Sequence, residues 1–261
     1  MGQDQINHLD NRMLIVDRQK KLLDILRTRQ SASLEQLAEE LGVSSSTVRR
    51  DVDALCGQGV VESTRGGVLF RGRSPAMLDL DQRMQEQVEA KRAIGKAAAA
   101  MIEPGMTVYF DGGSTIHYTV QQLEVRPLQV VTNSLTVANH FTNDEGVELL
   151  VLGGAMYPRS GVMVGPITMQ ALAEIHADVM IFSVAGIYET DIFNTNLAMV
   201  QIEKLALKQA ARKILLADAG KFGRKGLARV CSIEDLDLII TDSAISETWK
   251  AHLQDRLKIA G

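Results

Sequence analysis

The sequence predicts an α/β protein of two domains, a small helical one at the N-terminus and a larger one built around a parallel sheet. Two observations lead to this fold class. In the first seventy residues, leucines and valines recur at intervals of three and four, the period of helices with one buried face. From residue 106 onward, near-continuous apolar runs alternate with helical stretches, which is typical of a parallel sheet covered by helices on both faces.

A polar stretch with glycine and proline, residues 71–75, is the natural boundary between the two. We therefore divide the chain into a helical domain over residues 15–72, a linker or connecting helix over residues 73–90, and an α/β domain over residues 91–261.

Composition excludes several classes of protein. The chain has 261 residues, of which 46% are hydrophobic, so each domain can bury an ordinary core. Aromatic residues make up 4%, too few for a platform that stacks single-stranded nucleic acid. The net charge of -4 does not by itself indicate a nucleic-acid binder. The two cysteines, Cys56 and Cys231, cannot form a zinc site or a disulfide framework, so we expect two buried thiols and no metal.

The N-terminus is polar and acidic, unlike a secretory signal peptide. No apolar run approaches the roughly 18 residues that a membrane span requires. We therefore expect a cytoplasmic protein that has no membrane partner.

Two helices are predicted before residue 42. Residues 18–28 place leucine and isoleucine side chains on one stripe. Residues 33–36 (SLEQ) have the form of a capping box and open a second helix, whose leucines also share a face. Gly42 is expected to end that helix, because glycine readily adopts the left-handed conformation at a helix C-terminus.

A third helix is predicted to begin after its N-cap residue, Ser44. Val48, Val52 and Leu55 follow at intervals that place them on one inward face. The opposite face and its flanks then carry hydroxyl and guanidinium groups, from Ser46, Thr47, Arg49 and Arg50. A helix, a tight glycine turn and a second helix with this surface form a helix-turn-helix.

The exposed chemistry of the third helix suits double-stranded DNA. Hydroxyls and helix N-terminal amides bind phosphate oxygens, and arginine can bind guanine through two hydrogen bonds in the major groove. Two β-prone runs around Gly66 and Gly67 predict a hairpin, or wing, with Arg65 at its tip. An exposed arginine pair alone is more typical of a solvated surface, but the ordered set of elements favours DNA. We therefore predict DNA contacts from Ser44, Ser46, Thr47, Arg49, Arg50 and Arg65.

The order and spacing of these motifs resemble the winged helix of DeoR-family bacterial transcriptional regulators. The matching residues are Leu37-Ala38-x-x-Leu41-x-Val43-Ser44, Thr47-Val48-Arg49-Arg50-Asp51-Val52-x-x-Leu55, Gly59 and Arg65-Gly66-Gly67. The resemblance implies a homo-oligomer, dimer or tetramer, that binds double-stranded operator DNA.

The apolar runs of the second domain are expected to be strands of a Rossmann-like sheet. They are Met106–Phe110, Leu128–Thr132, Val147–Leu152, Val179–Val184, Ile214–Ala217 and Leu238–Thr241. An amphipathic helix over Ala90–Met101 precedes them, and the polar residues 79–90 are compatible with a connecting helix.

Small and polar residues follow these strands at the point where each one ends. In open parallel sheets, ligands bind beyond the carboxyl ends of the strands. Glycines at 112 and 113 would let backbone amides approach an anion at the start of the next helix, and Lys221 would add a positive charge. Carboxylate, amide and hydroxyl groups suit the hydroxyls of a sugar. We therefore predict a site for a small anionic, hydroxylated ligand at Asp111, Gly112, Gly113, Ser114, Thr115, Asn133, Gly153, Gly154, Gly186 and Lys221.

These strand ends also resemble the effector domain of DeoR-type regulators. The matching motifs are Asp111-x-Gly113-Ser114-Thr115, Val131-Thr132-Asn133, Leu152-Gly153-Gly154 and Leu216-Ala217-Asp218-x-x-Lys221-Phe222. That domain is similar in fold to ribose-5-phosphate isomerase and coenzyme A transferases. The resemblance implies a repressor of a carbohydrate operon whose effector is a phosphorylated sugar, with no cofactor and no catalytic activity.

Two alternatives stay open. A sugar-phosphate isomerase of the related fold would need a carboxylate base, for which Asp111 or Glu203 is available. The stretch 186–203 is poorer in acidic residues than the family pattern, which suits a regulator that responds to a protein partner instead. A winged helix adds nothing to small-molecule catalysis, so we favour the regulator.

Overall fold

The computed structural model describes residues 15–57, 61–64, 66–70 and 80–261. By its contacts the chain divides into two units, residues 1–74 and 75–261. Arg65, predicted at the wing tip, and residues 73–79 of the predicted linker lie outside the described residues.

The first unit contains the three predicted helices, α1 (Ile15–Arg29), α2 (Leu34–Leu41) and α3 (Ser45–Gly57). The capping box is confirmed, because Ser33 and Gln36 exchange side-chain and backbone hydrogen bonds at the start of α2. Gly42 ends α2 in the left-handed conformation, with φ of 65°. These local signals give α2 its two ends, as predicted.

A small antiparallel sheet completes the first unit. Its strands are β1 (Ser31–Ala32), β2 (Val61–Thr64) and β3 (Gly67–Phe70), in the order β1-β3-β2. The β2–β3 hairpin confirms the predicted wing, whereas β1 was not predicted. Leu22, Leu26, Leu37 and Val48 are fully buried between the helices and this sheet.

The second unit is an α/β domain. Its strands are β4 (Thr107–Phe110), β5 (Leu128–Thr132), β6 (Val147–Val151), β7 (Ala155–Tyr157), β8 (Val162–Val164), β9 (Ala177–Ser183), β10 (Gly186–Tyr188), β11 (Asp191–Asn194), β12 (Ala210–Leu216), β13 (Ala228–Ser232), β14 (Leu238–Asp242) and β15 (Leu257–Ala260). Its helices are α4 (Leu80–Met84), α5 (Val88–Ala99), α6 (Ser114–Val120), α7 (Leu135–Phe141), α8 (Pro166–Ala173), α9 (Leu197–Gln209) and α10 (Glu247–Leu253).

Seven strands form the central sheet, in the order β15-β14-β12-β9-β4-β5-β6. Every pair of neighbours is parallel, which confirms the predicted fold class. Apolar side chains form a separate buried cluster on each face of this sheet. Two smaller sheets, β10-β11-β13 and β7-β8, lie outside it.

The chain reverses its direction of travel across the sheet between β4 and β9. From β4 it proceeds through β5 to the edge strand β6, and it then returns to place β9 on the other side of β4. The chain therefore leaves the carboxyl ends of β4 and β9 in opposite directions, which opens a crevice between the two connections. Open α/β sheets bind ligands in such a crevice.

Within the described part of the chain, no helix has the length and apolar character needed to cross a membrane.

Candidate functional site

The predicted DNA-contacting hydroxyls cluster at the start of α3. Ser44 caps the helix, since its Oγ accepts a hydrogen bond from the Thr47 backbone N–H at 3.3 Å. The same Oγ lies 2.9 Å from Ser46 Oγ and 2.9 Å from Thr47 Oγ1. Arg49 and Arg50 are exposed beyond this cluster. The helix thus presents hydroxyls at its N-terminus and two guanidinium groups one turn further on.

Asp51 fixes α3 against α1, a role that the sequence analysis missed. Its carboxylate is buried and pairs with the Arg18 guanidinium, with Nη2 3.2 Å from Oδ1. Gln19 Nε2 lies 3.4 Å from the same oxygen. The sequence contained a signal for this position. Asp51 follows Val48 by three residues and directly precedes Val52, so on a helix it lies on the same buried side as these two valines.

A cavity opens at the crevice between β4 and β9. Three cations border it, Arg83, Arg159 and Lys221. The remaining lining residues supply hydroxyl, amide, thioether and backbone groups. These residues are Gly112, Tyr157, Ser160, Ser183, Val184, Ala185, Asn194, Thr195 and Met199. This is a polar, positively charged cavity at the position that the fold favours for a ligand.

Two of the ten predicted effector residues, Gly112 and Lys221, border this cavity. The two glycines also have a packing role that we did not predict. A Cβ on Gly112 would lie 2.2 Å from Val162 Cγ1, and one on Gly113 would lie 2.4 Å from Ser183 Oγ. The space beside these glycines is therefore occupied by protein side chains, so their small size serves close packing.

Four other predicted residues are buried and do not line the cavity. Asp111 follows β4, and its N–H donates to the Ile181 carbonyl. Asn133 is held by Tyr109, whose hydroxyl donates to Asn133 Oδ1 at 3.1 Å. Ser114 and Thr115 are buried in the first turn of α6.

The last three predicted glycines lie apart from the cavity lining. Gly153 and Gly154 are exposed after β6, where the Gly153 carbonyl accepts a hydrogen bond from Thr168 Oγ1 at 2.7 Å. Gly186 begins β10, and a Cβ there would lie 2.3 Å from the Arg224 carbonyl oxygen.

The cations interact with one another across the cavity. Burial lowers the pKa of Lys221 to about 8, although the nearby Asp218 carboxylate opposes this shift. Arg83, Lys91 and Arg224 lower that pKa further, by charge repulsion. Lys221 still carries its charge at pH 7, and an anion in the cavity would relieve the repulsion.

A pair of buried carboxyl groups, Asp111 and Glu203, lies next to residues of the cavity lining. Burial raises the pKa of Asp111 to about 7. Burial also raises the pKa of Glu203, and the charge of Asp111 raises it further. Asp111 Oδ2 and Glu203 Oε2 make no hydrogen bond to the described residues, while Glu203 Oε1 accepts one from Asn194 Nδ2. Asn194 thus connects this pair to the cavity wall.

This arrangement suits a ligand with an anionic group and several hydroxyls. Guanidinium and ammonium groups bind phosphate well, and the hydroxyl and amide groups can bind sugar hydroxyls. The two carboxyl groups do not border the cavity. Among the described residues, no cluster of His, Cys, Asp and Glu side chains could hold a metal ion.

Two family models match the chain. One is described as a DeoR-like helix-turn-helix domain and matches residues 18–73. The other is described as a DeoR C terminal sensor domain and matches residues 86–243. Together they span both units.

Characterised relatives resemble the chain over most of its length. It is 31% identical to the L-fucose operon activator of Escherichia coli (strain K12), over 86% of this chain and 94% of that one. It is 29% identical to the transcriptional repressor GlcR of Bacillus subtilis (strain 168), over 85% and 86% of the two chains. It is 28% identical to the lactose phosphotransferase system repressor of Streptococcus mutans, over 87% and 91%.

Solved structures of similar shape include a ribose 5-phosphate isomerase from Methanocaldococcus jannaschii. It has a TM-score of 0.39 and 18% identity, and the match covers 52% of this chain and 55% of that one.

Proposed function

The chain belongs to the DeoR family of transcriptional regulators, and on that premise we propose that it represses genes of carbohydrate metabolism under the control of a phosphorylated sugar. The observation that carries the proposal is the cavity between β4 and β9. It brings Arg83, Arg159 and Lys221 together beside hydroxyl and amide groups, in a chain that also has a winged helix. The cations match a phosphate and the neutral polar groups match a sugar.

The DNA side of the proposal rests on α3. Its N-terminal hydroxyls and backbone amides would contact phosphate oxygens, and Arg49 and Arg50 would reach base edges in the major groove. The cluster of Ser44, Ser46 and Thr47 keeps these hydroxyls at the helix N-terminus, where phosphate is favoured. Such regulators bind symmetric operators as dimers or higher oligomers, so we also propose a homo-oligomer acting in the cytoplasm.

Fluorescence anisotropy with DNA from upstream of the gene, at a stated salt concentration, tests DNA binding. Arg50→Ala should weaken operator binding by about 1–3 kcal/mol if this side chain contacts a base. The comparison is Arg29→Ala, an exposed cation of α1 whose partner is Glu40. An equal loss on scrambled DNA would mean that Arg50 contacts phosphate alone, and no loss would remove it from the interface.

The effector side is tested by adding a panel of sugar phosphates to the same titration. At least one should change operator affinity, and Lys221→Ala should reduce that response. Lys208→Ala, an exposed lysine near the end of α9, is the matched control. If no sugar phosphate alters operator binding or the melting temperature, a regulator that responds to a protein partner becomes the better hypothesis.

We propose that the chain has no catalytic activity and needs no cofactor. The support is that Asp111 and Glu203, the carboxylates available to an isomerase, do not border the cavity. A base must come within hydrogen-bonding distance of the proton that it removes. Conversion of an aldose phosphate to a ketose phosphate, at a rate that Asp111→Asn abolishes, would establish the isomerase instead.

A further inference from the structure

Helix α4 is the first described element after residues 71–79, which lead from the DNA-binding unit. One of its side chains, Arg83, borders the effector cavity. Nothing in the sequence motifs pointed to this residue. A segment that enters the sensor domain directly from the linker therefore forms part of the ligand site.

The position of α4 depends on three neighbouring elements. On one side, the Leu80 N–H donates to the Arg159 carbonyl at 3.0 Å, and Arg83 Nη2 donates to Ser160 Oγ at 3.2 Å. Arg159 and Ser160 also border the cavity. On the other side, the Tyr118 hydroxyl of α6 donates to the Met84 carbonyl at 2.8 Å.

A buried lysine of α5 holds the end of α4. Lys91 Nζ donates to the carbonyl of Arg83, in the last turn of α4, and to the carbonyl of Glu86, in the loop that follows. The Lys91 side chain is 3% exposed, so this contact is shielded from water. The loop after α4 is thus attached to the domain core, while the Arg83 side chain extends to the cavity.

Charge makes the Arg83 contact sensitive to a ligand. Arg83 and Lys221 face the same cavity and carry the same sign. Like charges at one cavity repel each other, and this repulsion contributes to the lowered pKa of Lys221, after burial, while Asp218 opposes the shift. A phosphate between them would replace this repulsion with two charge-assisted hydrogen bonds.

We propose that Arg83 is an effector-binding residue, and that an anionic effector in the cavity holds α4 in place. A phosphate group bound between Arg83 and Lys221 draws α4 towards the turn that holds Lys221. This stabilises residues 80–87, the first described segment of the sensor domain. The inference rests on the proposed function, because it requires an anionic effector in this cavity.

The chain contains its own reporter of cavity occupation. Trp249 is the only tryptophan of the sequence. Its ring centroid lies 5.2 Å from that of Phe222, the neighbour of Lys221 in the chain. Tryptophan fluorescence therefore reports binding at Lys221, and hydrogen exchange of the amides of residues 80–87 reports α4 separately.

The experiment adds inorganic phosphate, and then glucose 6-phosphate, to the full-length protein at constant ionic strength. The variants are Arg83→Gln, which removes the charge, and Arg83→Lys, which keeps it. The matched control is Arg92→Gln on α5, whose guanidinium is largely exposed and pairs with Glu89.

In the wild type and in Arg92→Gln, we expect the phosphate to change the fluorescence and to slow exchange at residues 80–87. In Arg83→Gln, we expect the fluorescence change to need about tenfold more phosphate, because one charge-assisted bond is lost, and the slowing of exchange to disappear. Arg83→Lys should restore part of both effects. A general loss of folding would instead alter exchange throughout the domain without phosphate.

The outcomes separate this inference from the proposed function. If the fluorescence responds in the wild type but exchange at residues 80–87 does not, or if Arg83→Gln behaves like the wild type, Arg83 does not couple the site to α4. If neither probe alters fluorescence or exchange in the wild type, no phosphate is bound between Arg83 and Lys221, and this inference is wrong. The proposed function fails as well only if no member of the sugar phosphate panel changes operator affinity.

Discussion

At the scale of single residues, Asp51 gives α3, the helix with the predicted DNA-contacting side chains, a fixed position. It lies on the same helix as Arg49 and Arg50 but faces inward, where it pairs with Arg18 of α1. The orientation of the exposed arginines therefore depends on a buried carboxylate that contacts no DNA.

Asp51→Asn should destabilise the first unit by about 1–3 kcal/mol, because it removes the charge that binds the Arg18 guanidinium. Faster hydrogen exchange of the α3 amides would show this. The comparison is Arg29→Gln, which breaks an exposed pair with Glu40 and should cost less than about 1 kcal/mol. Equal effects of the two substitutions would mean that the Asp51 pair is no more than a surface contact.

The pair formed by Asp111 and Glu203 makes the stability of the sensor domain depend on pH. Burial raises the pKa of Asp111 from 3.8 to about 7 in the folded state. Between these values the folded protein binds more protons than the unfolded chain, so its stability falls as the pH rises from about 4 to about 7. Glu203, whose pKa is also raised, adds to this trend.

Asp111→Asn should therefore raise the melting temperature relative to the wild type more at pH 8 than at pH 5. The asparagine cannot ionise, and its carbonyl can still accept backbone hydrogen bonds. A difference of about 1 kcal/mol between the two pH values corresponds to roughly 2–4 °C. Differential scanning calorimetry measures it, with the exposed Asp255→Asn as control. No difference between pH 5 and pH 8 would contradict a buried, ionising carboxyl group.

The candidate site was only partly predictable from residue types. Lys221 and Gly112 were placed at the cavity by the rule that ligands bind at strand ends. Arg83 and Arg159 come from α4 and from the loop between β7 and β8, and neither follows a strand of the central sheet. Their place in the wall depends on how these segments fold back over the sheet, and sequence periodicity contains no information about that.

At the scale of elements, the turn between α2 and α3 depends on the backbone of Gly42. Its φ of 65° is costly for residues with a Cβ, although no atom lies within 4 Å of the place where a Cβ would be. An alanine at this position would therefore strain the backbone without colliding with any neighbouring atom.

Gly42→Ala should destabilise the first unit by about 1–2 kcal/mol through backbone strain alone. Gly66→Ala is the matched control, because Gly66 also has open space around it but lacks the left-handed φ. Thermal unfolding followed by circular dichroism compares the two variants. A loss of stability in Gly66→Ala as large as in Gly42→Ala would show that the strain argument is wrong.

Elements whose own residues carry a helix or strand pattern were predicted from the sequence. Strands that form only because they pair with another strand were not. The strand β5 was predicted with its observed bounds, because its apolar residues are buried on both sides. The strand β1 consists of Ser31 and Ala32, which have no strand pattern of their own and are ordered by pairing with β3. The strand β15 has four residues, of which only Ala260 is buried, so its apolar pattern is weak.

At the scale of the whole molecule, the proposed function joins two binding sites in one chain. If an effector changes operator affinity by a given factor, operator DNA must change effector affinity by the same factor. For typical regulators this factor is about 5–150.

Titrating the active sugar phosphate into the protein, with and without saturating operator DNA, should give dissociation constants that differ by that factor. Trp249 fluorescence provides the signal, and sedimentation equilibrium in parallel should show a dimer or tetramer. An effector affinity that operator DNA leaves unchanged would mean that the sugar phosphate is not coupled to DNA binding, and the proposed regulation would be wrong. A monomer at the concentrations used would remove the symmetric operator from the proposal.

The pairing of β1 with β3 has a consequence for the operators that this protein can read. Two backbone ladder positions, and a further hydrogen bond from the Phe70 N–H to the Gln30 carbonyl, join the wing to the segment between α1 and α2. Because Asp51 joins α3 to α1, we expect the wing and α3 to keep a constant separation. Inserting one base pair within a half-site rotates one part of the DNA against the other by about a tenth of a turn. A protein with a rigid separation cannot follow this rotation, so its tolerance for variable half-site length is low, whatever the identity of the bases.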